Sequence, residues 1–195
     1  MRSTVRRLWP LALCLAALPA CSATRGTPFT WSDLEKFELG VTRRGEVSTQ
    51  IGDPTTVGFA IKNQYQYVVY RYEYTEADRD GVRNRLLRAG FGPDDKLAFY
   101  QFQSNFDVDE TDFDISKVTR FTPGTSHRDQ VLAEMGEPSG RDVAFVGPQK
   151  YEVWIYGIAR LEKIDAPVLK KATFYFDLEG TLAWYESQGE GFLLP

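Results

Sequence analysis

Thiols are nearly absent from this chain. Its 195 residues include two cysteines, Cys14 and Cys21, and both lie within the first 21 positions. The remainder can form no disulfide, no thiolate nucleophile and no Cys-based zinc site, so packing must hold the fold together. Histidine is as scarce: His127 is the one residue of its kind. A Ser-His-Asp or Cys-His relay would need a nucleophile tied to that imidazole, and neither a Gly-x-Ser-x-Gly elbow nor a thiol accompanies it. Walker loops, Gly-x-Gly-x-x-Gly turns and Cys/His metal spacings are missing as well. The acidic run Asp107, Asp109, Glu110, Asp112, Asp114 lacks the glycine and the closing glutamate of an EF-hand loop. We therefore expect no enzyme, no cofactor and no metal.

Long apolar runs are missing too, apart from Leu8 to Leu18, which is too short to span a bilayer comfortably. Arg2, Arg6 and Arg7 precede it, which makes residues 1–20 a signal peptide. Leu18-Pro-Ala-Cys21 resembles a bacterial lipobox, with Cys21 as the acylated mature N-terminus and residues 21–28 as a tether. Ser22 rather than aspartate follows the cysteine, favouring the outer membrane by analogy. Several acyl chains would anchor stably, each buried CH₂ contributing about 0.8 kcal/mol. Losing the three arginines from 23 Lys+Arg leaves 20 against 27 Asp+Glu, a net charge of −7. Nucleic acid and anionic lipid surfaces are poor partners for such a body.

What the chain does contain is one stretch twice. Phe29 to Pro54 aligns with Phe113 to Pro138 without a gap at an offset of 84, with eight identities in 26 positions. In each copy a short helix begins at Ser32 or Ser116, a capping-box partner (Glu35) being present only in the first. Gly40 or Gly124 then turns the chain. A second helix, capped by Thr42 or Ser126, buries Val47 and Ile51, or Val131 and Met135, until Gly52-Asp-Pro54 or Gly136-Glu-Pro138 ends it. Strands follow: Tyr67 to Tyr72 matches Tyr151 to Tyr156, and Leu97 to Tyr100 matches Leu182 to Tyr185 at offset 85. Ala172 to Gly180 reads as a strand and tight turn, whereas its partner, Arg85 to Asp95, is weak strand by composition.

This doubled phrase, Phe-x-x-Gly-(Val/Thr)-(Thr/Ser)-x-x-x-x-Val-x-x-x-(Ile/Met)-Gly-x-Pro before a Tyr/Trp-rich strand, resembles the small outer-membrane lipoproteins of the SmpA/OmlA (BamE-like) group. Its tandem use is similar to the β-lactamase inhibitor proteins. The resemblance implies an α+β chain of two tandem units, each a helix-loop-helix packed on one face of a small antiparallel sheet. The units would span 29–103 and 113–188, with an acidic linker at 104–112 and a tail at 189–195. It also implies a binding or assembly role in the envelope rather than catalysis, with inhibition of a periplasmic or extracellular hydrolase as the alternative.

Alternation along the strands puts Tyr151, Val153 and Ile155 on one face, and Glu152, Trp154 and Tyr156 on the other. The first set suits the helix-covered side. The second suits a half-exposed recognition face for an envelope protein, with Tyr70, Tyr72, Trp154 and Tyr156 as contacts and Tyr100 and Tyr185 as neighbours. Packing of that face against the other unit or the tail is the competing possibility. The sequence leaves the oligomeric state open. If Gly124 turns the chain with positive φ, Gly124→Val should lower stability by about 1–2 kcal/mol. An unchanged melting temperature would refute the corner.

Overall fold

The computed structural model describes residues 23–62, 64–78, 81–109, 111–163 and 166–189. Residues 1–20, Cys21 and the end of the tail lie outside them. Two separate small sheets do not form. All the strands join one nine-stranded antiparallel sheet, ordered β1-β3-β4-β5-β6-β7-β8-β9, with β2 also on β3. They are β1 (Ala23–Arg25), β2 (Thr56–Lys62), β3 (Tyr65–Asp78), β4 (Gly81–Phe91), β5 (Leu97–Ser104), β6 (Gly140–Val146), β7 (Gln149–Lys163), β8 (Ala166–Phe176) and β9 (Leu182–Gln188). The helices are minor: α1 (Trp31–Leu34), α2 (Arg44–Ile51), 3₁₀ helices at Asp107–Asp109 and Ile115–Arg120, and α3 (Arg128–Met135). The expected helix-loop-helix units on small sheets are thus overturned in proportion and in connection.

The repeat itself is kept. Helix α3 begins 84 residues after α2, β6 begins 84 after β2, and β8 begins 85 after β4. Gly40 and Gly124 take φ of +75° and +77°, and each donates its N–H to the first residue of the unit's last strand, Leu97 or Leu182, at 2.7 Å. Thr42 and Ser126 do not cap the following helix. Their hydroxyls accept from the N–H of Glu38 and Thr122, closing the preceding turn. The caps are Arg43 and His127, whose N–H groups are received by Glu46 and Gln130 three residues on. The first helix starts at Thr30, with Asp33 as its box partner, rather than at Ser32. Its counterpart starts at Asp114, which receives the Ser116 N–H.

Under each helix pair lies an apolar core. Leu34, Val47 and Ile51 meet Tyr72, Leu87, Phe91 and Phe102; Val118, Val131 and Met135 meet Trp154, Tyr156, Phe174 and Phe176. Each such side chain contributes roughly 1.5–3 kcal/mol on burial. This explains β4. Arg85 to Phe91 has little strand character alone, but Leu87, Ala89 and Phe91 point under the helices while the backbone pairs with β3 and β5. Tertiary contacts override propensity there.

The acidic run between the units is partly interior. The Asp109 carboxylate accepts from Arg85 Nε at 2.6 Å, Ser104 Oγ at 2.5 Å and the Trp31 N–H at 3.1 Å. The Arg85 guanidinium lies 3.8 Å over the Phe106 ring. Ala23–Arg25, expected as tether, pairs with Thr75–Ala77.

Among the described residues two ladder pairs, Tyr100–Arg141 and Gln101–Gly140, join the halves of the sheet. A Cβ at Gly140 would sit 2.7 Å from the Tyr100 carbonyl oxygen and 3.1 Å from the Gln101 Cα. The Phe102 N–H donates to Ser139 O at 2.7 Å beside it. Gly140→Val should cost about 1–3 kcal/mol by overpacking, and amide exchange should rise first at Phe102. Uniform exchange across both units would show that the joint is not the yielding point.

Candidate functional site

Where the sheet bears no helices, a single row of side chains crosses it. The register runs Gly58 (β2), Val69 (β3), Gly90 (β4), Phe99 (β5) in the first unit, and Asp142 (β6), Val153 (β7), Tyr175 (β8), Trp184 (β9) in the second. Phe99 lies flat against Gly90, where any Cβ would meet its ring at 2.2 Å, and its edge meets Tyr67 with centroids 5.9 Å apart. In the second unit Tyr175 stacks on Trp184 at 4.2 Å, and Tyr151 abuts Trp184 at 4.8 Å. These rings are half-buried rather than enclosed. Tyr and Trp in this state carry large contact area with few rotatable bonds.

An ion pair holds the centre. Lys62 Nζ crosses above the Phe99 ring to reach Asp142 Oδ1 at 2.5 Å and the Val143 carbonyl at 2.5 Å. Lys62 belongs to β2 and Asp142 to β6, with β3, β4 and β5 between them in the sheet. Strands about 4.8 Å apart would separate these two by some 19 Å if flat. A lysine side chain cannot cover that, so this face is concave. The adjoining cleft measures about 1180 Å³ and is walled by Lys62, Tyr67, Phe99 and Asp142, with Leu39 and Arg141 across it.

Burial pushes the Asp142 carboxyl above its ordinary range, in opposition to the Lys62 ammonium and the Val143 N–H. Burial likewise raises the Tyr67 and Tyr175 phenols, and the Asp142 charge adds to both. Three groups of this face therefore feel one another. At the cleft's other wall Glu152 accepts from Arg128 at 2.8 Å and from Trp154 Nε1 at 2.7 Å, while Arg141 pairs with Glu137 at 3.1 Å.

The residues expected as contacts lie elsewhere. Tyr72, Trp154, Tyr156 and Tyr100 are 1%, 3%, 2% and 4% exposed, inside the cores beneath the helices. Burial raises the Tyr100 phenol to about 12. Tyr70 and Tyr185 are half-buried and pack against the same cores. The face assignment was reversed because Glu152 reads as a solvent marker. It is instead paired with Arg128 and the Trp154 indole at the rim of the core. Sequence reasoning missed Tyr67, Phe99, Tyr175 and Trp184 as one surface. Their signal was the opposite parity of the same alternation. Cys21 lies outside the described residues. Among those described, no group of His, Cys, Asp and Glu is placed to hold a metal, and no helix is long and apolar enough to cross a membrane.

No family model matches the chain, and no curated protein does. Membership of the BamE-like group is accordingly not shown. Among solved structures, the crystal structure of a "putative beta-lactamase inhibitor protein" from Streptococcus mutans aligns with 80% of this chain and 93% of its own, at 11% identity and a TM-score of 0.46. The likeness is distant.

The Asp142 shift has a sign that can be checked. Its folded-state proton affinity exceeds the unfolded one, so its contribution favours folding fully below the unfolded value of 3.8 and is lost as pH rises through the folded value. Comparing Asp142→Asn with wild type by urea unfolding, the variant's relative stability should improve between about pH 4 and about pH 7. An unchanged difference would mean that Lys62 fully offsets the burial.

Proposed function

We propose that this chain is a non-enzymatic protein-binding lipoprotein of the bacterial envelope, engaging its partner through the concave, helix-free face. The observation that carries this is the aromatic row Tyr67, Phe99, Tyr175, Trp184 with the Lys62–Asp142 pair at its centre. Rigid aromatic anchors around a small number of fixed charges match the makeup of energetic hot spots. The concavity suits a convex protein surface, and the net negative charge of the mature chain favours a partner with basic groups near the contact. Cys21 supplies the lipid anchor, and the outer membrane facing the periplasm is the location. The role is that of an accessory or scaffold in envelope or outer-membrane protein assembly.

A photo-crosslinking residue placed at Trp184 or Tyr67 in the full chain, in intact cells, identifies the partner. We expect one defined envelope protein to be captured, and Tyr175→Ala/Trp184→Ala to reduce capture at least tenfold while the fold persists by circular dichroism. A captured hydrolase whose turnover is blocked would replace the scaffold role by inhibition. No capture from the concave face, with capture from probes on the helices, would overturn the site. Cys21→Ala should release the chain from membranes, and its retention there would refute the anchor.

A further inference from the structure

We infer that β2 is a self-association strand through which two copies of this chain pair, antiparallel and about a two-fold axis at Phe59. On the helix side of β2, Val57, Phe59 and Ile61 are 56%, 70% and 82% exposed, a continuous apolar stripe. Among the described residues β2 is bonded to β3 alone, so its other backbone edge faces outward along seven residues. Sheet edges of this length are ordinarily guarded by charge, proline or a bulge. The opposite edge is: β9 carries Glu186. Strand β2 has no acidic residue, no proline and no bulge, and its one charge, Lys62, is turned to the other face and held by Asp142.

The repeat narrows what can cover the strand. Its equivalent in the second unit, β6, is where the preceding strand β5 docks, so the first strand of a unit is its receiving edge. A head-to-tail copy, with β9 standing in for β5, would continue the pattern and open a filament. That joint depends on Gly140, whose place in β2 is taken by Thr56, and a Cβ there meets backbone at 2.7 Å. A joint of the same geometry built on Thr56 is therefore disfavoured, while pairing centred on the middle of the strand keeps position 56 away from the crowded spot. Antiparallel pairing at Phe59 sets Phe59 against Phe59 of the other copy, and Val57 against its Ile61. The stripe is self-complementary and brings no like charges together across the seam. The nearby Arg71 is already paired with Glu73. The seam is narrower than the ~800 Å² per partner of a stable interface. Association is therefore concentration-dependent and gains where copies are confined together.

The register supplies the test, made on the full chain in cells and on purified protein. Under mild oxidation Phe59→Cys should give a reducible homodimer. Val57→Cys and Ile61→Cys should each give little alone but a heterodimer when mixed. In sedimentation equilibrium, Phe59→Lys should weaken self-association at least tenfold with an unchanged melting temperature. Equal crosslinking at 57, 59 and Phe145→Cys on β6 would overturn the register. A monomer at every concentration, or a Phe59→Cys crosslink only to a different protein, would overturn self-pairing altogether.

Discussion

Two residue pairs decide the character of this molecule. Where β5 meets β6, Gly140 lets the backbone come against the Tyr100 carbonyl closely enough that no side chain could intervene. The neighbouring Ser139 is spent on the same joint: its carbonyl receives the Phe102 N–H, and its hydroxyl donates to Ile155 O while accepting the Gly157 N–H. Three strands, β5, β6 and β7, are thereby tied at one point. Without it the cores beneath α2 and α3 would belong to two small, separately marginal bodies. With it, strand pairing runs continuously from β3 to β9, and a row of side chains can extend across both units.

Duplication has preserved the helices and their corners, and both sheet faces carry changes between the two copies. Several core positions are kept in kind, Val47 and Val131, Phe37 and Phe121, Tyr72 and Tyr156, while on the strands volume is exchanged, with Leu87 against Ala172 and Ala89 against Phe174. Along the helix-free row two pairs are kept in kind, Val69 with Val153 and Phe99 with Trp184, and two diverge, Gly58 against Asp142 and Gly90 against Tyr175. The first unit is hollowed by glycine so that Phe99 can lie down, and the second is raised by Tyr175 stacked on Trp184. A head-to-tail repeat thus presents a surface that differs between its two halves.

Much of this was legible in the sequence, and what was hidden was hidden for physical reasons. The gapless offset of 84 located both helix pairs, both glycine corners and the helical stripes, because a helix of two turns announces itself by apolar residues four apart. Strand β4 was faint because Gly81 to Phe91 is made by its neighbours' hydrogen bonds rather than by its own composition. The joining of the sheets rests on one glycine whose role is to lack a side chain, which no periodicity reveals. Face assignment failed at Glu152. Alternation fixes which residues share a side but not which side the helices cover, and aromatic residues occupied both. The caps moved by one residue because Thr42 and Ser126 had a second use in the turn before.

The two best-defined ion pairs show how stability and surface are divided. Arg85–Asp109 is almost fully enclosed, and every carboxylate oxygen has a donor. Desolvation of that pair is offset by its own hydrogen bonds, the condition under which a buried pair holds. Its work is to fasten the inter-unit segment and the start of α1 to the sheet. Lys62–Asp142 is different. The Asp142 carboxyl remains above its ordinary range even with the ammonium beside it, so as a charged group it is worse off in the fold than outside it. A charge held at such a cost, at the centre of a concave aromatic face, marks a candidate site. The same lysine closes the curvature from β2 to β6. The pair thereby spans the concave face and puts a charge beside the Phe99 ring and the Tyr67 and Tyr175 phenols.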